Sequence, residues 1–149
     1  MQLEDTILRE IGALTRTIHA IIEIQFKALN LQKGQSIYLT RICENPGISM
    51  KELCQLLMVD KTTTSRVVQK LIAEQLVLKK QNSQDQRTFH LFPTAKSGQA
   101  YQAIIAEENR LTTQCYAGMG RNQRKMLLEL VCKMRQNIDE DWYMLKNYR

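Results

Sequence analysis

One stretch of the chain, residues 48–94, carries helix and strand signals in an order that few folds can satisfy. Its start has the S-x-x-E spacing of a capping box, in which Ser49 caps the first turn and Glu52 reaches back to the Ser49 backbone. Ile48 and Leu53 occupy the positions at which a hydrophobic staple closes over such a start. The spacing therefore predicts that a helix begins at Ser49.

A second helix and two strands are predicted after this first helix. The break MVD ends at Asp60, which is a good N-cap for a helix that runs to about Glu74. Two β-prone runs come next, Leu76–Lys80 and Thr88–Phe92, and the polar stretch QNSQDQR joins them. Helix, tight turn, helix and a two-stranded wing predict a mostly α fold with a small β-wing. This is the winged helix-turn-helix, a layout that places its second helix in the DNA major groove.

The second helix has two chemically different faces when it is read at 3.6 residues per turn. One stripe is expected to pack on Leu53, Leu56 and Leu57. It consists of Thr64, Val67, Val68, Leu71 and Ile72. The rest of the surface holds donors and small hydroxyls without a carboxylate before Glu74, whereas a merely solvated face normally mixes both signs of charge. Such a surface suits phosphate oxygens and base acceptors, and the alternative is an ordinary amphipathic helix that happens to be basic. The candidate DNA-binding residues are Lys61, Thr62, Thr63, Ser65, Arg66, Gln69 and Lys70.

Positive charge is concentrated in the same part of the chain. Residues 61–96 hold seven Lys and Arg against two Asp and Glu, while residues 1–60 hold six against seven and residues 97–149 hold eight against six. Because DNA affinity comes mainly from neutralising phosphates, this clustering predicts a nucleic-acid-binding surface. The alternative from another class is a winged helix that binds an acidic protein or RNA with the same basic face.

These residues resemble the MarR family of bacterial transcription regulators. The matching positions are Leu71, Leu76, Val77, Asp85, Gln86, Arg87 and Thr94. Residues 45–53 resemble the family's turn into the first helix of the motif, and the order of the remaining helices fits over nearly the whole chain. One departure is Gln75, which stands where glycine usually follows the recognition helix and must take or avoid a left-handed conformation.

Long helices are predicted on both sides of the winged motif, in a single domain of 149 residues. The motif spans about residues 34–93, and the flanking helices span about 4–29 and 94–146, with a break near Gly118 and Gly120. The terminal helices are rich in Ile, Leu and Met, and burial between two chains is the simplest explanation. The resemblance implies the same, an obligate homodimer held by the first, fifth and sixth helices. An intrachain hairpin is the alternative.

The wing supplies further candidate DNA contacts, namely Lys79, Lys80 and Arg87. By resemblance, Arg87 reaches into the minor groove. Asp85 is expected to position that side chain by a charge-assisted hydrogen bond, because a carboxylate would repel the phosphates.

The resemblance also implies how such a regulator acts. It implies a repressor that leaves its pseudo-palindromic operator when a small molecule binds, with an aromatic or phenolic acid as the ligand. Arg16 and His19 on the first helix are candidates to line the cleft for such a ligand.

Enzymatic function is not expected. The only histidines, His19 and His90, lie far apart without paired carboxylates, so neither a catalytic site nor a metal site is predicted, and no cofactor is expected. His90 alternates with Phe89 and Leu91 on a wing strand and is expected to face solvent or DNA. His19 is more typical of a core or interface histidine.

The cysteines and the apolar runs bear on location. Cys43, Cys54, Cys115 and Cys132 show no C-x-x-C spacing and are expected to be small buried hydrophobes. A cysteine-based redox-sensing regulator is the alternative within the family. No apolar run reaches the roughly 18–20 residues of a membrane span, and the acidic start MQLEDTILRE is no signal peptide, so a cytoplasmic protein without a membrane partner is expected.

Overall fold

The computed structural model describes residues 4–27, 31, 34–81 and 88–147, and within them the chain forms six helices and three strands. In chain order these are α1 (Ile7–Phe26), α2 (Gln35–Glu44), β1 (Ile48–Ser49), α3 (Met50–Leu57), α4 (Lys61–Ala73), β2 (Val77–Gln81), β3 (Phe89–Pro93), α5 (Ser97–Cys115) and α6 (Arg121–Asn147). The prediction of a mostly α fold with a small β-wing is confirmed. The chain divides into two compact units, Met1–Asn109 and Arg110–Arg149. The single domain, with its approximate boundaries, stays a prediction.

The strands form one antiparallel sheet in the order β1-β3-β2. The sequence predicted β2 and β3 but not β1, because a strand of two residues has no periodicity to detect. β2 and β3 begin one residue later than predicted, at Val77 and Phe89. At β2 the reason is that the Leu76 N–H still belongs to the helix end, where it donates to the Leu71 carbonyl at 2.9 Å.

The core of the first unit lies between α2, α3, α4, α5 and the inner face of the sheet. Its completely buried apolar side chains are Leu39, Ile42, Leu53, Leu71, Leu91 and Ile104. On α4 the predicted inner stripe is confirmed, since Thr64, Val68 and Leu71 are buried and Val67 and Ile72 pack against the core. Leu57 also packs there, whereas Leu56 is 51% exposed and does not belong to the core. Leu56 lies about 100° round the helix from Leu57, off the stripe that Leu53 and Leu57 share.

The start of α3 confirms the predicted capping box. The Glu52 N–H donates to the Ser49 hydroxyl oxygen at 3.2 Å, and the Ser49 N–H donates to the Glu52 carboxylate at 2.8 Å. The Ser49 hydroxyl also donates to the Glu52 carboxylate, at 2.7 Å, and this bond, followed by the one from the Ser49 N–H, holds the pKa of Glu52 below its ordinary value. The helix ends at Leu57 and is followed by Met58, whose φ of 55° is left-handed although Met58 is not glycine. The N–H groups of Met58 and Val59 donate to the carbonyls of Gln55 and Cys54, which is a Schellman motif.

The remaining helices differ from the prediction mainly at their starts. α1 starts at Ile7 rather than Glu4, where the Asp5 carboxylate accepts a hydrogen bond from the Ile7 N–H at 2.8 Å. The helix predicted from Thr94 starts at Ser97, because Thr94 still closes the sheet by donating its N–H to the Leu76 carbonyl at 3.1 Å. The break near the two glycines is confirmed between α5 and α6. The predicted end of the first helix, at Leu29, lies outside the described residues.

Candidate nucleic-acid interface

The outward surface of α4 is the centre of the candidate interface. Its exposed residues include Lys61, Thr62, Thr63, Arg66, Gln69 and Lys70, and Ser65 is half-buried. An open depression of about 480 Å³ lies on this surface. It is lined by Thr63, Arg66, Val67, Gln69, Lys70 and Ala73. α4 itself contains no carboxylate, so the surface that it presents carries donors and positive charge.

The nearest carboxylate at the end of α4 is directed toward another helix. Glu74, just after α4, is half-buried, and its Oε1 accepts a hydrogen bond of 3.4 Å from the side-chain amide of Gln35. Gln35 is the first residue of α2 and is 1% exposed. This contact turns the Glu74 carboxylate toward α2, although its negative charge remains at the end of α4.

Asp60 holds the start of α4, as the sequence predicted. Its Oδ1 accepts from the Thr63 N–H at 2.8 Å, and its Oδ2 accepts from the Thr63 hydroxyl at 2.7 Å. The hydroxyl hydrogen of Thr63 is therefore already used inside the protein. Thr62 and Thr63 are both exposed, but Thr63 also has a part in the helix cap.

The end of α4 is held at Gln75, whose position the sequence had marked, and by side chains whose contacts with this end the sequence did not predict. The N–H groups of Gln75 and Leu76 donate to the carbonyls of Ile72 and Leu71, again as a Schellman motif, and Gln75 takes a φ of 61°. The Gln75 carbonyl accepts from the Thr94 hydroxyl at 2.8 Å. The carbonyl of Glu74, the C-cap residue of α4, accepts from Lys96 Nζ, also at 2.8 Å.

Both ends of α4 are thus held by hydrogen bonds, and its inner side is buried. Tyr38 lies beneath the helix and is 5% exposed. Burial raises the pKa of the Tyr38 phenol, against the opposing effect of the neighbouring Thr64 hydroxyl. A helix held in this way keeps the side chains of its outward surface in a constant arrangement.

The wing separates the two candidate lysines. Lys79 pairs with Leu91 and Lys80 pairs with His90, so the lysines point to opposite faces of the sheet. Each ammonium group lies over an aromatic ring of β3. The distances to the ring centroids are 4.0 Å from Lys79 to Phe89 and 5.1 Å from Lys80 to Phe92. Asp85 and Arg87, the other candidates in the wing, lie outside the described residues.

His90 is tied to the backbone of another element instead of facing only solvent or DNA. It is half-buried, and its Nδ1 lies 2.7 Å from the carbonyl oxygen of Gly47, in the turn before β1. No sequence pattern predicted this contact, because the acceptor is a backbone atom.

The two candidate ligand-binding residues both lie on α1. Arg16 and His19 are exposed and three residues apart, so they share one face of the helix. Exposure of His19 in the single chain contradicts a core position and leaves an interface position open. The ligand-binding role stays a prediction.

The four cysteines are free thiols in different environments. Cys43, Cys54 and Cys132 are half-buried, but Cys115, at the end of α5, is exposed, so the prediction of a buried residue is wrong for Cys115. Burial raises the pKa of the Cys43 thiol, and a hydrogen bond with Ser97 opposes that shift only in part. A raised pKa lowers the thiolate fraction on which oxidation depends.

The described residues contain no group of three or more His, Cys, Asp and Glu side chains that could hold a metal ion. In the same part of the chain, no helix is long and apolar enough to cross a membrane.

Comparison with known proteins identifies the family. Residues 29–88 match the MarR family. The chain is 36% identical over 140 residues to the HTH-type transcriptional regulator YybA of Bacillus subtilis (strain 168), a match that covers 94% of this chain and 93% of the relative. It is similar to the structure of a MarR protein from Peptoclostridium difficile, with 44% identity, a TM-score of 0.93, and coverage of 97% of this chain and 94% of that chain.

A second solved structure extends the comparison. It is a MarR family transcriptional regulator from Listeria monocytogenes complexed with 26mer DNA, with 41% identity, a TM-score of 0.94, and coverage of 97% of this chain and 96% of that chain. The chain therefore belongs to the MarR family, whose members are winged helix transcription regulators and not enzymes.

Proposed function

We propose that this regulator is a homodimeric repressor that reads a pseudo-palindromic operator through α4 in the major groove. The observation that carries the proposal is the outward surface of α4, which has exposed donors and contains no carboxylate. Arg66 and Gln69 stand three residues apart on this surface, and both can form two hydrogen bonds with a base edge, arginine with guanine and glutamine with adenine. The Listeria monocytogenes relative, which was solved with 26mer DNA, supports DNA binding by this chain.

The wing lysines serve different purposes in this proposal. Because Lys79 and Lys80 point to opposite faces of the sheet, they reach different phosphates, and the rings beneath them restrict where each ammonium group can go. Arg87 reaches the minor groove and Asp85 positions it.

Homodimerisation is supported by the apolar surface of the terminal helices. In the single chain, α1 exposes four large apolar residues, Ile7, Leu8, Leu14 and Ile24. α6 exposes a longer series: Met126, Leu127, Leu128, Leu130, Val131, Ile138, Tyr143, Met144 and Leu145. Surfaces of this kind are normally covered by a partner, and a two-fold dimer would place two α4 helices on successive major grooves.

A small aromatic or phenolic acid is the proposed ligand that releases the operator. Arg16 is exposed and offers a bidentate partner for a carboxylate, and His19 on the same face offers a further donor. A repressor of this kind acts in the cytoplasm.

The test of DNA recognition uses an operator selected by the wild-type protein from a random duplex library. Arg66→Ala and Gln69→Ala are each expected to weaken operator binding about tenfold or more, because one bidentate base contact is worth roughly 1–3 kcal/mol. The matched controls are Arg121→Ala and Gln102→Ala, which remove exposed side chains of the same type from α6 and α5. The controls are expected to bind as the wild type does.

Several outcomes would contradict parts of the proposal. Equal losses on operator and random duplex would assign Arg66 and Gln69 to phosphate contact, and no loss on either would remove α4 from the interface. Preference for RNA or for an acidic protein over every duplex would favour the alternative function. A folded monomer at micromolar concentration in sedimentation would exclude the dimer.

A further inference from the structure

In the turn before α3, one residue contacts β3 through both its backbone N–H and its backbone carbonyl. Gly47 donates its N–H to the Leu91 carbonyl at 2.8 Å, and its own carbonyl lies 2.7 Å from His90 Nδ1. Its φ of 90° is left-handed, and a Cβ at this position would stand 3.4 Å from the Phe92 ring. Glycine therefore suits this turn, and two consecutive residues of β3, His90 and Leu91, form hydrogen bonds with it.

The chemistry of this contact decides the state of the imidazole. A carbonyl oxygen has no hydrogen to donate, so Nδ1 of His90 must carry one. A neutral His90 is then the Nδ1–H tautomer, with Nε2 free of a proton. This tautomer has a distinct nitrogen chemical shift, so the contact can be observed directly.

The contact between His90 and Gly47 lies next to the start of the helix-turn-helix. Ser49, two residues later, pairs with His90 in the sheet and is also the N-cap of α3. Charged groups face His90 from two sides, with Glu52 of α3 near enough to interact with it electrostatically and Lys80 paired with it across the hairpin. One side chain on the wing strand therefore adjoins both the turn before α3 and the α3 cap.

We propose that His90 is a positioning residue, whose hydrogen bond to the Gly47 carbonyl locks the wing to the start of α3. The wing and α4 then meet DNA in one fixed relative geometry. The inference rests on the proposed function, since it concerns how two parts of the same interface are held together. Without the bond, only the backbone pairing of β1 with β3 and the Gly47 N–H bond to Leu91 hold the wing there, so part of its positioning has to occur when DNA binds, and that cost lowers affinity.

The first test compares two substitutions of His90 in the full chain, using the selected operator. His90→Leu removes the donor and is expected to weaken operator binding about fivefold, which corresponds to the ~1 kcal/mol typical of one hydrogen bond. His90→Asn is expected to stay within about twofold of the wild type, because its amide nitrogen, like Nδ1, is bonded to Cγ and can donate to the same carbonyl. Far-UV circular dichroism checks that both variants are folded.

A double-mutant cycle separates positioning from general stability. Lys79 points to the face of the sheet opposite His90, so the two side chains cannot couple by touching. If His90 acts by holding the wing on DNA, its removal costs less once a wing contact is gone, and the effect of His90→Leu in a Lys79→Ala background is expected to fall below about twofold. A merely structural loss would be additive in this cycle.

The third measurement does not depend on DNA. Nitrogen-15 spectra of the wild-type imidazole are expected to show His90 as the Nδ1–H tautomer when it is neutral. The Nε2–H tautomer, equal weakening by His90→Asn and His90→Leu, or an additive cycle would each overturn the proposal. A wild-type protein that selects no duplex would refute the proposed function itself. Equal operator binding by the wild type and by His90→Leu would refute only the role of His90.

Discussion

Replacing Gln75 by glycine is expected to stabilise the protein, although it removes a side chain. Gln75 follows α4 with a φ of 61°, in the left-handed region that residues with a Cβ occupy at a cost. Its side chain is exposed, so little packing is lost when it is deleted. Met58 has a similar φ of 55° but is half-buried, and there the same substitution would also remove packing. Gln75 therefore isolates the backbone contribution.

The magnitude follows from two opposing effects. A left-handed conformation costs an L-residue about 1–2 kcal/mol, and glycine avoids that cost. Glycine also has more freedom in the unfolded chain, which costs about 0.5–1 kcal/mol on folding. The expected net gain in the free energy of unfolding is about 0.5–1 kcal/mol. That gain corresponds to a rise in Tm of a few degrees, about 1–4 °C, for a chain of this length.

The assay is urea unfolding at a fixed protein concentration, since a dimer's apparent stability depends on concentration. The matched control is Gln102→Gly, the same chemical change at an exposed position inside α5. There glycine lowers helix stability, so a loss of about 0.5–1 kcal/mol is expected. Changes of opposite sign in the free energy of unfolding at the two positions would support the reasoning. Destabilisation by Gln75→Gly as large as that by Gln102→Gly would refute it.

Three further predictions concern side chains near α4 and α5. Lys96→Met, which removes the hydrogen bond to the Glu74 carbonyl, is expected to cost about 0.5–1 kcal/mol of unfolding free energy, and less at high salt. Burial raises the pKa of Glu108, so the free energy of unfolding should fall as pH rises from the ordinary pKa of a glutamate through this raised pKa. Glu108→Gln should remove this fall, and a pH profile of urea unfolding that the substitution leaves unchanged would contradict the prediction. Iodoacetamide is expected to modify exposed Cys115 well before half-buried Cys43, and the reverse order by mass spectrometry would revive Cys43 as a redox sensor.

The sequence was informative where a structural feature depends on residues only a few positions apart. The capping box of Ser49 and Glu52, the Asp60 cap and the two faces of α4 were all predicted and are all present. Each depends on side chains three or four residues apart along one helix, and that spacing can be read directly. The unusual position of Gln75 was also recognised, because the family resemblance placed a glycine there.

Other features were decided only by the tertiary structure. β1 exists because β3 lies beside the turn before α3, and His90 reaches Gly47 across 43 positions of sequence. Lys96 similarly reaches the Glu74 carbonyl across 22 positions. In both contacts the acceptor is a backbone oxygen, which every residue possesses and which therefore leaves no mark in the amino-acid sequence. Local patterning determined which side chains α4 presents, whereas the packing of distant segments decided how α4 and the wing are held.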